Sequence, residues 1–153
     1  MQRKKLVKLM QILEKEEKQA KIRARELRFV ANETAKSTVS SWSAGGDRFH
    51  TRSQSEAAEE LYQKIISLRR KVEEEVAKSV TERISEPCFV NLILNGKKEE
   101  FYLVDQVVNL PEIKLISSDS LLGKTIIGKK INEDFSFLTE DGRKTEGKII
   151  SFE

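Results

Sequence analysis

From residue 6 onward, apolar side chains return at the three- and four-residue steps of a helix. Leu6, Met10, Leu13, Ala20, Leu27 and Ala31 form the first series, and only Glu17 breaks it at a core position. Such spacing lays one apolar stripe along an α-helix. Residues 2–38 hold no Gly or Pro and are dominated by good helix formers, so a first long helix is expected there. Leu61, Ile65, Leu68, Val72 and Val76 make a second stripe. Ser53 followed by Glu56 has the spacing of a capping box, which predicts a second helix from near Gln54 to about Ile84, closed by Pro87. Two such helices bury their stripes most simply as an antiparallel coiled-coil hairpin.

The link between them predicts a fingertip at residues 43–52. From Thr34 to Ser43 the composition shifts to Ser, Thr and Val, and Gly45-Gly46 is read as the turn that ends the first helix. Trp42 and Phe49 flank the glycines and either plug the end of the hairpin or stand out as contact residues.

After Pro87 the pattern changes to strands. Phe89-Val90-Asn91-Leu92-Ile93-Leu94 and Glu100-Phe101-Tyr102-Leu103-Val104 surround Asn95-Gly96, the strongest short-range hairpin signal. Leu115-Ile116-Ser117-Ser118 precedes a short helical run that Gly128 ends. Phe135-Ser136-Phe137-Leu138, a turn at Glu140-Asp141-Gly142, and a final strand through Phe152 complete a last hairpin. The expected fold class is therefore α+β: residues 1–84 as the helical hairpin, and residues 85–153 as a small antiparallel β domain with one short helix.

Charge separates the two parts. Residues 1–84 hold 19 Lys/Arg against 13 Asp/Glu, whereas residues 85–153 hold 9 against 12. A basic finger on an acidic base implies different partners for each. Lys21, Arg25 and Arg28 share one helix face, suited either to phosphates or to an acidic neighbour, while Arg23 points elsewhere. No apolar run reaches the roughly 20 residues a membrane span needs, and no apolar core follows the basic start. The lone Cys88 reads as a buried inert thiol, and the compartment as reducing cytoplasm.

Catalytic constellations are missing. One His and one Cys, far apart in sequence, exclude a Cys-His nucleophile pair and leave too few soft ligands for zinc. No phosphate-cradling glycine loop is present. Residue chemistry alone yields a finger-plus-base adaptor that is not an enzyme.

Ile116-Ser117-Ser118-Asp119-Ser120-Leu121-Leu122-Gly123-Lys124-Thr125-Ile126-Ile127-Gly128-Lys129 resembles the C-terminal signature of bacterial Gre transcript-cleavage factors, roughly I-S-x-x-S-P-x-x-x-x-L-[IL]-G-K. Val90-Asn91-Leu92 and the strand ending at Val104 are similar to the family's first strands, and the hairpin in front matches its N-terminal domain. The resemblance implies an FKBP-like C-terminal domain that docks on RNA polymerase, here through Ser117, Asp119, Ser120, Leu121 and Leu122. It implies a hairpin inserted into the secondary channel. Acids spaced D-x-x-E at the tip would help hold a Mg²⁺ shared with the polymerase active centre, so that the polymerase cleaves its own backtracked RNA. Transcription elongation and DNA binding come with that family context.

Asp47 aligns with the first tip acid and is the expected metal ligand and catalytic residue; His50 stands where the second acid belongs. An imidazole is a poor Mg²⁺ ligand but a competent general base near neutral pH. Glu56 stands in only if the tip folds differently, and Leu121 replaces the signature proline. Lys21, Arg25 and Arg28 would contact the nascent RNA 3′ end. A monomer with no membrane partner is expected. Two alternatives stay open: a secondary-channel regulator of the same fold without cleavage activity, and a scaffolding coiled coil that dimerises through its hairpin.

Overall fold

The computed structural model describes residues 3–36 and 42–153, with the side chains of residues 42–44 excepted. Two long helices, α1 (Lys4–Lys36) and α2 (Trp42–Val76), precede five strands and one short helix. The chain divides into two compact units, Gln11–Arg69 on one side and Met1–Met10 with Arg70–Glu153 on the other.

Within Gln11–Arg69 the helices run antiparallel, as shown by ion pairs from Glu17 to Arg69 and from Arg28 to Glu59. Leu13, Ala20 and Ala24 of α1 and Ala58, Ile65 and Leu68 of α2 are buried. The interruption at Glu17 is thus answered by a guanidinium across the seam. Leu61, expected in the stripe, is 41% exposed. Ala58 takes the buried position instead, and small alanines on both helices leave the larger side chain at the seam's edge.

The second unit contains the head of α1 and the tail of α2. Leu6, Leu9 and Val72 are buried there; Leu9 rather than Met10 fills the seam position between Leu6 and Leu13. Arg3 is buried and donates to Glu75 at 2.6 Å and to the Ser79 carbonyl at 2.7 Å. Helix α2 stops at Val76 rather than near Ile84. Residues beyond it spend their backbone groups elsewhere: the Ile84 amide donates to the Lys129 carbonyl, and the Gly128 amide donates to the Ile84 carbonyl.

The sheet comprises β1 (Cys88–Leu94), β2 (Lys97–Val104), β3 (Leu115–Ser117), β4 (Asp134–Leu138) and β5 (Lys144–Phe152), in the order β3-β2-β1-β5-β4. Asn95 and Gly96 both have positive φ, 48° and 79°, as a two-residue hairpin turn of the primed kind requires. All pairings are antiparallel except β2 with β3, which are parallel. The antiparallel domain expected from the sequence thus carries one parallel edge strand, because residues 105–114 cross back instead of turning tightly. Val90, Leu92, Phe101, Leu103 and Ile149 of the sheet, with Ile126 of α3 (Leu121–Ile126), form the core. On the other face Phe89 meets Tyr102 edge-on at 5.1 Å, Lys5 lies over the Phe89 ring, and the Tyr102 hydroxyl donates to the Lys5 carbonyl.

Candidate functional site

The fingertip expected at residues 43–52 is instead the opening stretch of α2, which begins at Trp42 and passes through Gly45 and Gly46 without a break. The start expected near Gln54 is therefore corrected by about three turns. A Cβ at either glycine would meet nothing within 4 Å, so no close neighbour demands glycine there. The remaining link, residues 37–41, lies outside the described residues, as does the side chain of Trp42. Phe49 does not plug the hairpin; it is 76% exposed.

Asp47 and His50 both lie on this first part of α2, three residues apart and exposed. Asp47 stands eleven residues, about three turns, before Ala58. It therefore continues the seam-facing side of α2, and His50 lies next to it. The Thr51 hydroxyl donates to the Asp47 backbone carbonyl at 2.9 Å, a bond within the helix, and Asp47 is exposed. Glu56 lies nine residues on, two and a half turns, which puts it on the opposite side of α2 from Asp47. There it is paired with Arg52 at 3.0 Å. Asp47 is thus the single carboxylate between Glu33 and Glu56 in the sequence. Among the described residues no three His, Cys, Asp or Glu side chains gather as a metal site. One carboxylate beside an imidazole does not enclose a hard cation, so the chain by itself does not fit Mg²⁺.

Lys21, Arg25 and Arg28 are all exposed on α1. Their spacing of four and three residues brings them along one flank, as expected. Arg28 reaches Glu59 of α2 at 3.2 Å, with both side chains well exposed. In the acidic run Glu73-Glu74-Glu75, Glu75 is buried and held by Arg3.

The five expected docking residues surround the β3–α3 corner. Ser117 and Ser120 are spent on shaping it. The Ser120 hydroxyl donates to the Ser117 carbonyl at 2.6 Å and accepts the Gly123 amide at 3.0 Å as the N-cap of α3, while the Ser117 hydroxyl oxygen accepts the Asp119 amide. Leu122 packs against the core. Asp119 and Leu121 remain outward, Leu121 with half its surface exposed. Close by, the Lys130 amide and then the Lys129 ammonium hold the Glu133 carboxyl below the usual range.

Three features escaped the sequence reading. Gly123 has to be glycine, because a Cβ there would come within 2.3 Å of the Ser117 carbonyl oxygen. Arg69 compensates Glu17. Ile22 and Phe29 stand exposed on α1, at 57% and 66%. The last was legible: each lies half a turn off the Ala20–Leu27–Ala31 stripe, where an apolar residue has no core to enter.

No family model and no curated protein matches the chain. Among solved structures it is similar to Gfh1 of Thermus aquaticus, at 21% identity over 92% of this chain and 90% of that one, with a TM-score of 0.39. It is also similar to GreA factor homolog 1 of Thermus thermophilus, at 19% identity over 94% of both chains and a TM-score of 0.39. A third is the prokaryotic transcription elongation factor GreA/GreB from Nitrosomonas europaea, at 16% identity over 61% of this chain and 85% of that one, with a TM-score of 0.38. At such identities and scores the likeness carries no functional weight.

Proposed function

We propose that this chain is a Gre-type accessory factor of bacterial RNA polymerase that inserts its hairpin into the secondary channel and promotes cleavage and rescue of backtracked transcripts. The observation that carries the reading is the signature of residues 116–129. It folds as one unit, from β3 through a serine-capped corner into α3, and turns Asp119 and Leu121 outward. Docking through that corner leaves the hairpin for the channel. The chain itself is not the enzyme, because hydrolysis takes place in the polymerase. Asp47 offers one hard oxygen ligand to an ion held elsewhere, and His50 offers an imidazole as base to an attacking water. Lys21, Arg25 and Arg28 contact phosphates of the nascent RNA.

A second reading keeps the docking and omits the cleavage. It is favoured by the placement of Glu56 on the far side of α2, which leaves Asp47 without a second carboxylate. Transcript cleavage by stalled, backtracked polymerase decides between the two. If the first reading holds, wild type cleaves and Asp47→Ala loses at least tenfold in rate. If wild type is silent and His50→Glu cleaves, the second holds. Failure of the wild-type chain to bind polymerase at all would overturn both.

A further inference from the structure

Helix α1 carries a second stripe, turned away from its seam. Ile22 and Phe29 are seven residues apart and therefore on one line, with Arg25 between them. Lys18, Lys21, Arg25 and Arg28 follow the adjoining flank at steps of three, four and three. All four cations are exposed, and among the described residues neither Lys18, Lys21 nor Arg25 has an ion-pair partner. Arg28 is shared with Glu59, but a pair so exposed is worth little and gives way to a stronger anion. Glu26 and Glu33 lie on the other border of the stripe, so the charge is one-sided. The Phe29 ring makes no aromatic contact among the described residues.

We infer that this face of α1 binds single-stranded RNA, with Phe29 as a platform on which an unpaired base stacks. A row of cations over about 15 Å of helix tracks a phosphate backbone. An exposed ring within that row adds what a phosphate contact lacks, because every base has a face that stacks on it. Ile22 supplies apolar surface for the neighbouring sugar or base. An apolar protein partner would need Ile22 and Phe29 but would find no use for four adjoining cations. The choice of RNA over a DNA strand rests on the polymerase reading above; the stacking site itself stands on the exposed ring and its cations.

The test needs no polymerase. Fluorescence anisotropy at low salt would follow the full-length protein binding a labelled twelve-nucleotide oligoadenylate, its deoxy counterpart, a duplex, and an abasic strand with the same phosphates. Phe29→Ala is expected to weaken RNA binding about tenfold and Phe29→Tyr to restore it, since stacking on one aromatic ring is of that order. Abasic-strand binding should not respond to Phe29→Ala. Replacing Lys21 and Arg25 by Ala should flatten the salt slope by about 1.4. Equal RNA affinity for wild type and Phe29→Ala, equal weakening on the abasic strand, or preference for the duplex would each overturn the site. Tighter binding of the deoxy strand would overturn the choice of RNA. A Leu121→Glu variant that lost polymerase but kept oligoadenylate would strike only the docking step, so the two proposals fail separately.

Discussion

Asp47, His50 and Glu56 show how much one helix turn decides. Read as a loop, residues 43–52 would let Glu56 swing beside Asp47; read as helix, the same residues hold the two carboxylates on opposite sides. Glu75 makes the same point for charge. In sequence it is the last of three glutamates on a solvated helix, yet it is buried against Arg3. Removing one partner of such a pair strands the other, so Glu75→Ala is expected to cost about 3–5 kcal/mol in urea unfolding. Cys88 gives a pH dependence. Burial pushes its thiol up from its ordinary value of 9.0 to about 12. The unfolded chain therefore releases this proton first, and its contribution to stability is complete below pH 9 and declines as pH rises toward 12. Between pH 8.5 and 11 the wild type should lose on the order of 2–3 kcal/mol more than Cys88→Ala. Equal losses in the two proteins would contradict the burial effect.

Among the elements, the strands after Pro87 and their turns were the most legible, because Asn95-Gly96 and Asp141-Gly142 carry backbone requirements that few residues meet. Parallel pairing of β3 was not, since three residues say nothing of direction. For the helices, periodicity identified the stripes but not which of two neighbouring positions faces the seam, as Leu9 for Met10 and Ala58 for Leu61 illustrate. The start of α2 was missed because two glycines are ordinarily a breaker. They remain a weakness: Gly45→Ala and Gly46→Ala should each stabilise the helix by about 1 kcal/mol, having open space for the methyl. A rise in thermal midpoint with more helical circular dichroism would show it, and a fall would mean that the glycines serve another conformation. The docking corner was legible as a signature only; that two of its serines cap and brace, leaving Asp119 and Leu121 as the outward pair, required the backbone.

At the scale of the whole molecule, an α+β chain carries its excess of cations in residues 1–84 and its excess of acids in residues 85–153, and the two proposed contacts divide in the same way. None of the described helices is long and apolar enough to cross a membrane. Cys88, at 3% exposure and with its thiolate suppressed, has a further use. Maleimides react with thiolates that they can reach. A cysteine introduced at Phe49 or at Ile22 would therefore take a dye or spin label alone, with the native sequence otherwise intact. The protein comes ready for site-specific labelling of its helices.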